Sequence, residues 1–328
     1  MTLMLTIFSI LIPMHYQVPY QKNPGPLLDA RIHKDIQRHI NKYQPEVVLL
    51  GDSVLDSIVN EKRLGILTEK RVYKLAIHGS ASAIWYLSIK NNIITARHKP
   101  DYVVVFFRGT MLTTPEFRTT GTYQVLIDEL SGPDDQLLID LAYVRQMNWV
   151  DRTLDQYFPF YAYRQLVRNS LEDKIKYPLL KFLFHYEKTD VDNAVDVVFG
   201  DPNIALLGAI INNSESNLYQ SDKLDFDDQL PQSFLPETIR LCRENDIQLV
   251  FVRTKTEQYY PRGIQSAEMN RYLDSLINYL DRRGVMFIDF GSDPRLTPEY
   301  FSDPIHMTEE GQRVFTEVLA EKMNNVIP

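Results

Sequence analysis

The sequence predicts a three-layer, flavodoxin-like α/β sandwich: a five-stranded parallel sheet between helices, with a mainly helical insertion. Three observations predict it. Short runs rich in β-branched and aromatic residues alternate with segments of helical period, first over 47–109 and again over 234–328. The runs are apolar almost throughout, as strands covered on both faces of a parallel sheet must be. Between 110 and 230 the alternation stops and aromatic, helix-like stretches replace it, as in "QYFPFYAYRQLV" and "YPLLKFLFHY".

The elements follow in order. "MTLMLTIFSILIPM" is apolar and uncharged, but fourteen residues fall short of the roughly 20 that span a bilayer. It reads as a signal-anchor helix extendable to Val18, as the end of a longer anchor, or as a buried first strand; "QKNPGP" after it reads as a stiff linker leaving a membrane surface. Residues 1–26 are therefore expected to be a membrane anchor or signal segment with its linker, which would place the rest outside the cytoplasmic membrane. In "LLDARIHKDIQRHINKY", Leu28, Ile32, Ile36 and Ile40 form one helical stripe. Val47–Leu50 is a short strand, Val54–Leu64 a helix, Val72–Ile77 a second strand and Ala81–Ala96 a longer helix. "DYVVVFF", 101–107, is the clearest buried strand. The aromatic stripe of 110–230 is expected to pack rather than bind a ligand, and the segment closes in the exposed loop "NNSESNLYQSDKLDFDDQLP". The rhythm then resumes: helix 234–245, strand 247–253, helix 265–284 ending at Gly284, strand 285–290, and a closing helix in "MTEEGQRVFTEVLAEKMNN". The α/β core thus comprises 27–109 and 231–328, and 110–230 is an insertion or cap.

Composition narrows the function. Over 328 residues, 44% apolar and 24% charged is ordinary for a folded protein, and a net charge of -8 gives nucleic acid no electrostatic purchase. The single cysteine, Cys242, excludes an internal disulfide and a Cys-based zinc site, and reads as a buried, inert thiol. Asn212-Asn213-Ser214 is a glycosylation sequon only in a eukaryotic host.

In an open parallel sheet, ligands bind beyond the carboxyl ends of the strands. There the chain places Gly51-Asp52-Ser53, His78-Gly79-Ser80, Arg108-Gly109-Thr110, Arg253-Thr254-Lys255 and, past a loop, "FSDPIHMTEEG". "GDS" alone is an ordinary strand-to-helix turn, because glycine eases the exit and Asp or Ser caps the next helix. A partner changes that. Pro304 disfavours helix at Asp303, so the chain turns, and His306 can return beside the carboxylate. Asp303 can then hold one ring nitrogen while the other takes the proton of Ser53, an alcohol that needs a base to become nucleophilic. His78 lies near the same edge without a required role, and His33, His39 and His185 join no constellation.

"GDS" at 51–53 after the first strand and "DPIH" at 303–306 before the last helix resemble the GDSL/SGNH hydrolase superfamily; "AIHGSAS" at 76–82 matches its second block more loosely. The resemblance spans both ends of the α/β core and not the insertion. It implies acyl transfer through an acyl-serine, with Ser53, Asp303 and His306 catalytic and the N–H groups of Ser53 and Gly79 in the oxyanion hole. The family's third donor is an asparagine of a "GxND" block, and here the position reads "FFRGTML". Loss of one such donor costs about a hundredfold or more in rate. Arg108 could approach the oxyanion or grip an anionic group, with Arg253 joining it; the alternative is that either arginine pairs with Asp52 or with an acidic residue of the insertion. The mechanism requires no metal or organic cofactor.

Water as acceptor makes an esterase; a glycan hydroxyl makes a transferase. The N-terminal segment and the resemblance to SGNH proteins that acylate envelope glycans favour an O-acyl esterase or O-acyltransferase on a cell-envelope polysaccharide, which leaves room for a membrane-bound partner delivering the acyl group. A lipid or small-ester hydrolase with an aromatic lid, and an inactive SGNH-fold glycan-binding or scaffold protein, are the alternatives.

Overall fold

The computed structural model describes Met4, Ile7, Leu11, His15 and residues 34–120, 122–132, 135–157, 215–256 and 265–327. The five expected strands form one parallel sheet: β1 (Val47–Gly51), β2 (Val72–Ala76), β3 (Tyr102–Phe107), β4 (Gln248–Arg253) and β5 (Met286–Asp289), in the order β2-β1-β3-β4-β5. The order reverses at β1, so the crevice at its carboxyl end is the switch point where doubly wound sheets hold ligands.

Alternation along the strands divides the core in two. Val48, Leu50, Val103, Val105, Phe107, Leu249 and Phe251 face one layer, built from α1 (Lys34–Tyr43), α4 (Ser82–Ser88), α7 (Leu235–Glu244) and α8 (Ala267–Asp281). Val47, Leu49, Val104, Phe106, Val250, Val252 and Ile288 face the other, built from α2 (Ser53–Ile58), α3 (Glu61–Thr68) and α9 (Glu309–Val326). Both faces are dry, which accounts for the near-continuous apolar runs. Burial pushes the Cys242 thiol up to about 12.

The expected helix 54–64 is two helices. Asn60 is extended and accepts from the Arg63 N–H, starting α3 as an N-cap, while its own N–H is taken by Thr316 Oγ1 of α9. The expected helix 81–96 is α over Ser82–Ser88 and then a π-turn over Ile89–Ile93. Gly284 takes a left-handed φ of 66° after α8, as its place beyond the helix requires.

The chain divides into two compact units, Leu28–Ala142 with Ile211–Pro328, and Met1–Leu27 with Tyr143–Ile210. The first holds the sheet, α5 (Thr122–Leu130) and the segment from Glu215 onward. In the second, α6 (Trp149–Tyr157) starts where Asn148 Oδ1 accepts from the Asp151 N–H, and Met4, Ile7 and Leu11 are helical and exposed. Most of 1–26 and all of 158–214, including His185, lie outside the described residues, as does His33. Among the described residues no helix is long and apolar enough to cross a membrane.

Candidate active site

The site begins with the exit from β1. A side chain at Gly51 would meet Leu55 Cβ at 2.8 Å and Phe106 Cβ at 3.3 Å, so only glycine lets the chain turn this close to the sheet. Asp52 is the N-cap of α2: its Oδ1 accepts from the Val54 N–H at 3.0 Å. Ser53 is thereby the first helical residue, half-buried at the rim of the sheet.

At the other end of the chain, the loop before α9 folds back on itself. Phe301 and Met307 pair as an antiparallel bridge, and the Ser302 N–H donates to the His306 carbonyl at 2.9 Å. Thr308 caps α9 by accepting from the Gly311 N–H, while its own N–H donates to the Tyr300 carbonyl at 2.8 Å. Asp303 Oδ1 accepts from the Ile305 and His306 N–H groups, both at 2.9 Å, which fixes the turn that Pro304 begins. Asp303 Oδ2 lies 2.7 Å from His306 Nδ1, and His306 Nε2 lies 2.9 Å from Ser53 Oγ. Burial raises the Asp303 carboxyl, but the bond from the His306 ring, the two N–H donors and the histidine charge together hold it below the usual carboxylate range. Asp303 therefore stays ionised and fixes the proton on Nδ1, leaving Nε2 to accept from the serine.

Comparison with known proteins adds a likeness of fold. No protein-family model and no curated protein matches the sequence. Among solved structures, a GDSL-like lipase from Bacteroides thetaiotaomicron is 12% identical, with 98% of this chain and 100% of that chain covered and a TM-score of 0.38. An acetyl xylan esterase is 11% identical, with 86% and 99% covered and a TM-score of 0.37. An acetyl xylan esterase from the rumen bacterium Butyrivibrio proteoclasticus is 10% identical, with 87% and 65% covered and a TM-score of 0.33. Likeness at that level says nothing of activity; the relay from Ser53 to Asp303 is what a chemical reading rests on.

The segment "AIHGSAS" carries Gly79. It turns at φ 75° directly after β2, and a Cβ there would strike the ring of Tyr123. The turn is tied to the nucleophile's strand, because the Gly51 carbonyl accepts from the Ile77 N–H at 2.9 Å and from Ser80 Oγ at 3.0 Å. Trp85 Nε1 donates to the same serine hydroxyl. Among the described residues neither the Ser53 N–H nor the Gly79 N–H has an acceptor, as an oxyanion hole requires of its donors.

The segment after β3, "FFRGTML", carries Arg108. Arg108 is 1% exposed, and its guanidinium serves carboxylates. Nη1 donates to Asp52 Oδ2 at 2.9 Å; Nε and Nη2 donate to the two oxygens of Glu215 at 2.5 and 2.6 Å. Both pairings that the sequence offered as the alternative to a substrate grip are made, one to Asp52 and one to an acidic residue of the 110–230 segment. Arg253 is also buried, donating to Asp289 at 3.1 Å and to Gln265 at 2.5 Å, with its guanidinium against Gly291. Arg108 and Arg253, expected at the substrate, both make ion pairs within the protein. His78 pairs with Asp56 at 3.2 Å, and His39 stacks on Tyr73.

Two residues of this cluster had no sequence signal. Arg118 Nη1 donates to Asp52 Oδ2 at 3.1 Å and Nη2 to Glu215 Oε1 at 2.9 Å. Asp52, Glu215, Arg108 and Arg118 make a buried group with no net charge. Burial raises the Asp52 carboxyl, but the two arginines and the Val54 N–H outweigh it and hold it low. The balance matters to chemistry. A lone carboxylate beside a developing anion would oppose it. The arginines remove that opposition while letting Asp52 keep its cap.

Proposed function

We propose that this protein transfers acyl groups through an ester of Ser53, as an O-acyl esterase or O-acyltransferase. The observation that carries the reading is the unbroken relay Ser53 Oγ–His306 Nε2–His306 Nδ1–Asp303 Oδ2. Ser53 Oγ bonds to the acyl carbon as its proton passes to His306 Nε2, and the carbonyl electrons move to oxygen beside the Ser53 and Gly79 N–H groups. Collapse breaks the bond to the leaving alcohol, which takes the proton from His306. The acceptor then attacks the acyl-serine, giving its proton to His306; the acyl–Oγ bond breaks and Ser53 Oγ takes that proton back, so that water gives hydrolysis and a sugar hydroxyl gives transfer.

The substrate we propose is an O-acylated cell-envelope polysaccharide, worked on from outside the cytoplasmic membrane. The uncharged apolar N-terminal run supports a membrane-facing segment; its Met4, Ile7 and Leu11 are exposed. The acyl donor in the transfer mode is a membrane-bound partner. The test is acetate release from an acetylated glycan and from an aryl acetate, with mass analysis of the trapped enzyme. Acetyl on the Ser53 peptide, absent in Ser53→Ala, supports the reading. Turnover that survives Ser53→Ala overturns it.

A further inference from the structure

The segment after β3, "FFRGTML", holds no asparagine to give the oxyanion hole a side-chain donor, and Arg108 has Nε, Nη1 and Nη2 all bonded to carboxylates. Arg118 differs. Its side chain is 10% exposed, and its Nε–H is buried without an acceptor among the described residues. A buried N–H on a charged group is costly to leave unpaired, so its presence calls for an acceptor that the described residues do not supply. The backbone of Arg118 is left-handed, φ 56°, a conformation a non-glycine residue holds only when its surroundings enforce it.

Its neighbours place it. Nη1 bonds to Asp52, the residue before the nucleophile, and the guanidinium lies 5.8 Å from the centre of the Tyr123 ring. That ring packs on Gly79, whose N–H is the second oxyanion donor. Arg118 is therefore bracketed by the residue beside Ser53 and the ring that packs on Gly79. We infer that Arg118 stands in for the absent asparagine, its Nε–H and charge serving the anion that forms when an acyl carbonyl is attacked. The inference rests on the acyl-serine reading above. Asp52 and Glu215 hold the guanidinium by its other two nitrogens, which leaves the Nε edge as the one still open to an acceptor.

The test compares the full chain with Arg118→Gln and Arg118→Lys, measuring kcat and KM on an aryl acetate and inhibition by phenylboronic acid. The boronate forms a tetrahedral anion on an activated serine and so reports binding of the intermediate. Arg118→Gln is expected to lower kcat about a hundredfold or more with KM within about twofold, and to weaken the boronate by a similar factor. Arg118→Lys, which keeps charge without the fixed fork, recovers only part of both. A fall in kcat without loss of boronate affinity, or no change in either, overturns the inference. Should Arg118→Gln not fold, Arg118→Lys decides: a folded variant equal to the parent in both measures also overturns it. A parent that neither turns over the ester nor binds the boronate sinks the acyl-serine reading and this inference together. An active, boronate-sensitive parent with indifferent Arg118 variants sinks this inference alone.

Discussion

Ser53 Oγ and His306 Nε2 lie 2.9 Å apart across 253 positions of chain. The contact joins the first helical residue of α2 to the loop ahead of α9, and these two helices pack together on one face of the sheet. The histidine is aimed by Asp303, so Asp303→Asn should keep the fold but release the tautomer. We expect kcat to fall by about 10³–10⁴, with the melting temperature within a few degrees of the parent. Steady-state kinetics beside a thermal melt checks this.

Gly79→Ala should damage turnover more than stability. The new methyl meets the Tyr123 ring, and φ 75° strains any residue with a side chain. Tyr123→Ala in the same chain removes the collision and leaves the strain, so the pair should recover part of the lost kcat. No recovery would show that the turn itself, not the ring, sets the damage.

Glu215→Ala leaves the Arg108 and Arg118 guanidinium groups with one carboxylate between them in a buried place. Removing one partner from such a group costs about 3–5 kcal/mol. Denaturant unfolding should show that loss as a lower midpoint at an unchanged slope.

Asp52 and Asp303 are both held below the ordinary carboxylate range in the folded chain. The unfolded chain then binds more protons than the folded one in acid. Their stabilising contribution is fully present above the unfolded value near 3.9, and is lost as pH falls through the lower folded values. Melting temperature against pH should fall steeply below about pH 4, and Asp52→Asn should make that fall shallower. An unaltered slope in the variant would contradict the assignment.

Cys242 is buried, and its thiol is pushed up to about 12 by that burial. A thiol reagent at about pH 8 should leave it unmodified in the folded chain and titrate it fully in denaturant. Fast labelling without denaturant would mean that α7 opens from the sheet.

The sheet was legible in the sequence because strands dry on both faces must be apolar along their length, as in "YVVVFF" at Tyr102–Phe107. The triad was legible because each half is a contiguous motif at a strand or helix end, "GDS" and "DPIH". The break at Asn60 had a signal, a capping residue followed by Glu61, that the apolar spacing across 54–64 obscured. Arg118 and Glu215 had none. Arg118 lies in a turn and Glu215 in a helical stretch on either side of a long segment, and only tertiary folding brings each to Asp52 or Arg108. A pairing of Arg108 with Asp52 or with some acidic residue of the insertion could be offered from chemistry alone, but finding that both are made, and that the second is Glu215, needed the distances.

Labelling with a serine-reactive fluorophosphonate tests the central claim most directly. A covalent adduct is expected on Ser53 of the parent, none with Ser53→Ala and about a hundredfold or more slower labelling with His306→Ala, because the base that activates the hydroxyl is gone. A parent that stays unlabelled, or a His306→Ala variant that reacts as fast as the parent, would contradict it.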